Sequence, residues 1–373
     1  MKLAIAAISA AALLSASSAP AGPPRVAARA YLVENAASGE VLAAENARER
    51  VPIASITKLM TVLVTLEHAR LRDVVTVSPR AAAVGESTID LRPGERLTVG
   101  ELVEGALIQS ANDAAYSLAL YVGHGDLARF VALMNRKARE LGLRDTHFVR
   151  PDGLDATGHY SSARDVTVLA QAAMRIRFVR DTVRRSTATI GGGRTLHTWN
   201  DLLATFPHLL GVKTGHTTAA GWSEVAAARG RGTTIYATLL GSPSRSRRND
   251  DLAQLLAWGL SRYRVVVAID PRRDYGAVRL PYGRGEVRLV AGRRLLAVVR
   301  IGGPLVERVV APSAVSLPVA RGERLGEVRV FARGKLLGTR ALVADRSVAR
   351  PGTFARATWY ARRAAHHAWT WLT

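Results

Sequence analysis

The chain has 373 residues, of which 48% are hydrophobic, and this composition indicates a globular protein and excludes a disordered one. It contains no cysteine, so disulfides cannot contribute to its stability. Its 52 Lys and Arg residues against 30 Asp and Glu residues give a formal net charge of +22, which favours polyanionic surroundings such as nucleic acid, anionic lipid or an acidic cell-wall polymer.

The N-terminus predicts export. Lys2 precedes an apolar stretch over residues 3–14, and small residues follow up to an Ala-x-Ala site that ends at Ala21. This is the pattern of a secretory signal peptide over residues 1–21, with an uncleaved N-terminal anchor as the alternative. We therefore expect the protein on the periplasmic or extracellular face of the cytoplasmic membrane, which argues against a nucleic-acid partner. Export also leaves anionic lipid and wall polymer as counterparts of the positive charge.

A β-hairpin and a buried helix are the first predicted elements of the mature chain. Strand-like runs over residues 31–34 and 40–44 flank a Ser-Gly turn, and Pro52 then precedes a long apolar helix. Ser55 and Lys58 stand at the head of this helix, three residues apart and so on one face. A buried lysine with a lowered pKa can activate a serine nucleophile. The alternative is a capping serine followed by a solvated lysine.

A second polar pair lies between two helices. Residues 98–101 form a capping box that opens a helix, and another apolar helix runs from Ala114 to about Tyr121. Ser110 and Asn112 occupy the tight connection between them. Taken alone, this pair is better explained by a cap of the second helix at Asn112 or Asp113.

The remaining elements of this region predict a mixed fold. An amphipathic helix over residues 127–141 precedes a loop in which Asp152 and Asp155 are explained by turns and caps, and Ser162 then opens another helix. A strand carries Lys213, two more strands follow, and a helix over residues 250–263 ends the region. We predict an α+β domain over residues 26–265, with one antiparallel sheet and a helical cluster.

Two further regions of the chain follow the α+β domain. Short alternating runs separated by Gly, Pro and Arg predict a small all-β domain over residues 270–348. Residues 352–373 predict a basic amphipathic helix with tryptophans, which suits a membrane interface. A terminal helix docked on the protein's own surface is the alternative.

Three motifs appear in order: Ser55-x-x-Lys58, Ser110-x-Asn112 and Lys213-Thr214-Gly215. Together they resemble the signature of serine penicillin-recognising enzymes. Neighbouring segments narrow the resemblance to the low-molecular-mass D-alanyl-D-alanine carboxypeptidases, peptidase family S11, over roughly residues 31–263. These segments are Asp113-Ala114, Gly153-Leu154-Asp155, the run from His159 to Asp165, and Lys213 to Thr217 with Ala220-Gly221. The resemblance implies a β-lactamase/transpeptidase-like fold.

The resemblance also implies a catalytic mechanism without metal or organic cofactor. Ser55 is the expected nucleophile, which attacks the carbonyl between two terminal D-alanines of a peptidoglycan stem peptide. Lys58 is the expected general base, kept neutral by burial and by Lys213. Ser110 is expected to relay a proton to the leaving amine. The backbone N–H groups of Ser55 and His216 are the expected oxyanion hole.

Substrate contacts are implied for a second group of residues. Asn112 is expected to hold the substrate's peptide group and to orient Lys58. Lys213 and Thr214 are expected to bind the terminal carboxylate, and Gly215 to let the substrate backbone lie close to the strand. Arg248 is expected to assist carboxylate recognition, although Arg245 and Arg247 lie beside it. β-Lactams are the expected covalent inhibitors.

Other functions compete with this interpretation. A class A β-lactamase needs a Glu-x-x-Leu-Asn carboxylate, which is absent between Asn112 and Lys213. A D,D-endopeptidase that cuts peptidoglycan cross-links shares the motifs and is the main alternative. A non-catalytic wall- or membrane-binding scaffold and a basic nucleic-acid binder fit less well. One departure from the family is Thr198, where an asparagine often stands two positions before Asn200.

Overall fold

A computed structural model describes residues 8–12 and 22–372, and it describes side chains over residues 22–365. The chain divides into two compact units, Ala21–Arg262 and Met1–Pro20 together with Tyr263–Thr373. Of the predicted signal peptide, residues 8–12 form strand β1 (Ile8–Ala12), and the other residues of that segment lie outside the described part. Export and processing stay predictions.

The unit Ala21–Arg262 is built on a five-stranded antiparallel sheet in the order β3-β2-β10-β9-β8. The predicted N-terminal hairpin is confirmed, and its first strand pairs with β10, where Val33 stands opposite Ala237. The sheet therefore joins the beginning of the unit to its end. Its strands are β2 (Ala30–Asn35), β3 (Glu40–Glu45), β8 (Leu209–Thr217), β9 (Gly221–Gly230) and β10 (Thr233–Ser242). Two small hairpins are β4 (Val74–Thr76) with β5 (Arg96–Thr98), and β6 (Thr187–Ile190) with β7 (Arg194–His197).

The helices surround α1, whose first eight residues, Lys58 to Thr65, are all buried. Helices α4, α5 and α6 pack against it, which explains why its sequence is apolar on most faces. The predicted capping box of Thr98 and Glu101 opens α3, and Ser162 caps α6. The helices are α1 (Lys58–His68), α2 (Pro79–Ala82), α3 (Val99–Glu104), α4 (Asn112–Val122), α5 (Leu127–Glu140), α6 (Ala163–Ala173), α7 (Arg177–Thr182), α8 (Leu202–Thr205) and α9 (Arg245–Ser261).

The predicted start of the last helix of the unit Ala21–Arg262 was wrong. Helix α9 begins at Arg245 rather than Asp250, with the Ser244 side chain accepting a hydrogen bond from the Arg247 backbone N–H. The apolar repeat becomes visible only from Leu252, because residues 245–251, about the first two turns, are polar, and so the sequence pattern did not reveal them. The difference places Arg245 and Arg248 on a helix.

The second unit contains a six-stranded sheet in the order β1-β15-β16-β17-β13-β12 and a separate pair, β11 with β14. Its core includes Val328, Val330 and Leu342. Helix α10 (Thr353–Leu372) follows, with Trp359 against Tyr282 at a ring-centroid distance of 5.5 Å and Phe354 86% exposed. The strands are β11 (Tyr263–Ile269), β12 (Asp274–Arg279), β13 (Glu286–Ala291), β14 (Leu295–Arg300), β15 (Leu305–Val310), β16 (Arg324–Ala332) and β17 (Lys335–Ala344).

The predicted fold class is confirmed: an α+β unit with an antiparallel sheet and a helical cluster, a β-rich unit and a C-terminal helix. Within the described residues, we find no helix with the length and apolar character needed to cross a membrane.

Candidate active site

Ser55 lies in a tight 3₁₀ turn, Ala54–Thr57, that leads directly into α1. Ala54 adopts a φ of +48°, a conformation that residues with side chains rarely adopt. Gly153 presses against this turn so closely that a Cβ there would come within 2.0 Å of the Ala54 carbonyl oxygen. The turn is thus fixed from outside, and Ser55 lines a pocket.

Lys58 is fully buried and contacts three oxygen atoms. Its Nζ lies 2.7 Å from Ser55 Oγ, 2.7 Å from Asn112 Oδ1 and 2.9 Å from the backbone oxygen of Asp152. Burial lowers the pKa of Lys58 to about 7, against the opposing pull of Asp152 and Asp113. A neutral amine can donate to Asn112 and Asp152 and still turn its lone pair to the Ser55 hydroxyl.

Ser110 and Asn112 lie where the sequence predicted them, between two helical elements. Helix α3 continues as a π-helical turn, Gly105–Gln109, which ends at Ser110 in a left-handed conformation with a φ of +64°. Ala111, not Asn112, is the N-cap of α4, so the capping alternative for Asn112 is wrong. The Asn112 side chain instead donates to the Gly85 carbonyl at 3.0 Å while accepting from Lys58.

Lys213 lies on β8, the edge strand of the sheet, with its Nζ 2.8 Å from Ser110 Oγ and 3.0 Å from the Thr214 carbonyl oxygen. Burial, and then the positive charge of Lys58, hold the pKa of Lys213 well below its usual value. Two buried lysines thus repel each other across this site, which favours the neutral form of one of them.

Gly215 allows β8 to approach the turn Ala54–Thr57, which we call the nucleophile turn. A Cβ at this position would lie 2.8 Å from the Ile53 carbonyl oxygen and 3.1 Å from the Ser55 backbone nitrogen. The close approach that the structure records is therefore to the protein's own backbone, whereas the sequence resemblance implied closeness to a substrate. It brings the backbone of Ser55 alongside the strand that carries His216, whose ring stacks on Trp222 at 4.0 Å.

A pocket of about 240 Å³ opens over these residues. The sequence analysis assigned roles to six of its lining residues and assigned none to the other four, Ser87, Trp199, Trp222 and Arg245. Trp199 is 48% exposed and donates from Nε1 to the Gln109 carbonyl at 3.0 Å, so it forms the wall beside the unusual Thr198. A tryptophan directly after that departure was the signal available in the sequence. The lining residues are Ser55, Ser87, Ser110, Trp199, Thr214, Gly215, His216, Trp222, Arg245 and Arg248.

Arg248 lines this pocket but is already engaged. Its guanidinium lies 3.2 Å from the fully buried carboxylate of Glu224 and 3.3 Å from Asp201, and only 2% of its side chain is exposed. Arg245 binds Asp201 through two hydrogen bonds of 2.6 and 2.8 Å. Arg247 pairs instead with Asp251. Glu224 was missed from sequence, although a lone acid directly before the apolar run Val225 to Ala228 was a signal.

The loop acids have structural roles, although their main contacts are not the turns and caps that the sequence predicted. Asp152 pairs with Arg150 at 2.6 Å, and Asp155 accepts from the Thr217 hydroxyl at 2.7 Å. The contact of Lys58 with the Asp152 backbone oxygen was not predicted, because backbone atoms leave no sequence signal.

His159 supports the nucleophile turn through a hydrogen bond to Thr57. Its Nδ1 accepts from the Val149 backbone N–H at 3.1 Å, so Nε2 carries the proton and donates to Thr57 Oγ1 at 2.8 Å. Burial lowers the pKa of His159 to about 4, which keeps the ring neutral in this role.

Comparison with known proteins gives consistent matches. The family model Peptidase_S11, described as D-alanyl-D-alanine carboxypeptidase, matches residues 16–244. The D-alanyl-D-alanine carboxypeptidase DacD of Salmonella typhimurium is 32% identical over 91% of this chain and 90% of its own length. The structure of penicillin binding protein 5 from Haemophilus influenzae aligns with a TM-score of 0.64 at 26% identity, covering 88% of this chain and 99% of that one. The Streptomyces K15 DD-transpeptidase aligns with a TM-score of 0.61 at 32% identity, covering 64% of this chain and 99% of that one.

The family model spans more than half of the chain, and the relative from Salmonella matches nearly all of it. All three sequence motifs of a penicillin-recognising serine enzyme meet in one pocket. The chain therefore belongs to peptidase family S11, the serine D-alanyl-D-alanine carboxypeptidases.

Proposed function

We propose that this carboxypeptidase removes the terminal D-alanine of peptidoglycan stem peptides through an acyl-enzyme on Ser55. The 2.7 Å contact between Lys58 Nζ and Ser55 Oγ carries the proposal. Neutral Lys58 accepts the Ser55 proton while Oγ bonds to the carbonyl carbon of the penultimate D-alanine. The C–N bond then breaks, the terminal D-alanine leaves as an amine, and water later hydrolyses the ester.

Ser110 links the proton path to the leaving amine. Its Oγ lies 2.8 Å from Lys213 Nζ, so the hydroxyl can pass a proton to the departing nitrogen and recover one from the lysine pair. The backbone N–H groups of Ser55 and His216 are our candidates for the oxyanion hole. Gly215 supports this assignment because it lets the two backbones approach.

We propose that positively charged side chains and the edge strand β8 recognise the substrate. Thr214 and Arg248 line the pocket, and Lys213 Nζ lies 3.0 Å from the Thr214 carbonyl oxygen, so we propose these three residues as the binding groups for the terminal carboxylate. Asn112 binds Lys58 with its side-chain oxygen, and we propose that it also holds the substrate's peptide group. β-Lactams present a carbonyl and a carboxylate in a similar arrangement, so we expect them to acylate Ser55 and to block the enzyme.

Release of D-alanine from an acyl-Lys-D-Ala-D-Ala peptide tests this function. We expect release by the wild type and none by Ser55→Ala. Release that persists in the variant refutes the mechanism. If the wild type releases no D-alanine while penicillin still labels Ser55, cross-linked muropeptides become the substrates to assay, and their cleavage supports the D,D-endopeptidase alternative.

We further propose that the enzyme is exported and held on an anionic membrane surface by α10. The net charge of +22 and the exposed Phe354 and Tyr360 support this proposal, since basic amphipathic helices bind anionic lipid through both features. The contact between Trp359 and Tyr282 supports the alternative that the helix docks on its own unit. Deletion of Phe354 to Thr373 is expected to abolish binding to phosphatidylglycerol vesicles while D-alanine release continues. Unchanged vesicle binding contradicts the anchor.

A further inference from the structure

Glu224 is a buried acid that the mechanism above does not use. It lies on β9 directly opposite Thr214 of β8, so both side chains project on the same face of the sheet. The residue is 0% exposed, and among the described residues neither of its carboxylate oxygens has a hydrogen-bond partner. A buried carboxylate in this state is unfavourable unless nearby charge compensates it.

Three charged groups act on Glu224. Arg248 from α9 lies 3.2 Å from Oε2, and Lys213 from β8 also attracts the carboxylate, while Asp201 from the segment before α8 repels it. On the other side of β9, Leu239 of β10 stands opposite Glu224 and carries no charge. Helix α6 and the nucleophile turn also pack against β9, but neither adds a charged group to this set.

Glu224 affects the protonation of Lys213 by Coulomb attraction. Burial, Lys58 and Arg248 all disfavour protonated Lys213, whereas Glu224 is the one group that favours it in this set. Burial in turn raises the pKa of Glu224 to about 7, so the carboxylate changes its charge close to neutral pH.

We propose that Glu224 is a positioning residue for recognition of the substrate's terminal carboxylate. Its carboxylate holds Arg248 beside Thr214 and favours the protonated form of Lys213, so the pocket binds a carboxylate more weakly once Glu224 takes up a proton. This inference rests on the proposed roles of Lys213 and Arg248 as carboxylate-binding groups. It adds a second ionisation to that of Lys58 and makes substrate binding as well as chemistry depend on pH.

Glu224→Gln tests the proposal because it imitates the protonated acid at every pH. We expect kcat/KM for the peptide to equal the wild-type value at pH 5.5 and to fall about tenfold below it at pH 8.5, mainly through KM. Glu224→Leu supplies a second neutral variant of similar size. Glu224→Asp keeps the charge and is expected to restore much of the activity lost at pH 8.5.

Asp251→Asn is the matched control, since Asp251 is a buried acid of α9 that pairs with Arg247 outside the pocket. Its ratio to the wild type is expected to be the same at every pH. A ratio for Glu224→Gln that is likewise independent of pH, or no change at all, overturns the inference and leaves the proposed function standing. A wild type that releases no D-alanine at any pH contradicts the proposed function itself.

Discussion

Lys213 Nζ lies 2.8 Å from Ser110 Oγ, and this contact joins the edge strand of the sheet to the turn that begins α4. The two residues are 103 positions apart in the chain. Lys58 in turn contacts Ser55 and Asn112, so the three motifs form two hydrogen-bonded groups that meet at the Ser110–Asn112 turn, and the charges of Lys58 and Lys213 act on each other. Changes to one member are therefore expected to affect the protonation of the others.

The pKa of Lys58 determines the acid limb of the pH profile. A general base must be neutral, so the rate of acylation by penicillin is expected to rise with pH and to level off above about pH 7. Lys58→Arg is expected to abolish acylation at all pH values, because a guanidinium stays charged. The second-order acylation rate between pH 5 and 9 measures both, and a profile that is flat across pH 7 contradicts the assignment.

Ser110→Ala removes the hydroxyl between Lys213 and the leaving amine. Proton transfer by one positioned group contributes about 100-fold or more, so kcat/KM for the peptide is expected to fall by about that factor. Ser117→Ala provides a matched control, since this buried serine of α4 has no hydrogen-bond partner among the described residues. Steady-state release of D-alanine compares the two, and equal activities remove Ser110 from the proton path.

Gly215→Ala is expected to push β8 away from the nucleophile turn, because its Cβ meets backbone atoms that cannot move aside. We expect acylation by penicillin to slow by at least about tenfold. Gly230→Ala on β9 is the control, since the added Cβ there meets only the flexible end of Leu260 at 3.3 Å. If the two variants acylate equally fast, then the close packing at Gly215 does not matter for the reaction.

His159 makes stability depend on pH. Its pKa of about 4 in the folded protein is below the ordinary value of 6.5, so between these values the unfolded chain binds more protons. Stability is therefore lost as the pH falls from 6.5 to 4, by up to about 3 kcal/mol. His159→Gln is expected to make the free energy of unfolding less dependent on pH between 4 and 6.5, as measured by urea unfolding followed by circular dichroism. If the variant's free energy of unfolding changes with pH as much as that of the wild type, other groups cause the dependence.

Local rules account for much of what the sequence predicted. The spacing of Ser55 and Lys58 places them on one helical face, and capping boxes and alternating runs located most helices and strands. The order of three short motifs, together with the segments around them, was enough to indicate the family. Each motif, cap and alternating run is a pattern of residues close together in the chain.

The tertiary structure determined how the residues of the three motifs interact with each other and with their surroundings. Burial lowers the pKa of Lys58, and it comes from helices distant in sequence that pack around α1. The engagement of Arg248 by Glu224 and Asp201 depends on a sheet register and a helix start that local patterns did not reveal. The sequence by itself determined which groups can react, because chemistry belongs to residue types. The fold determined their charge states and partners, because desolvation and Coulomb interactions depend on distances in space.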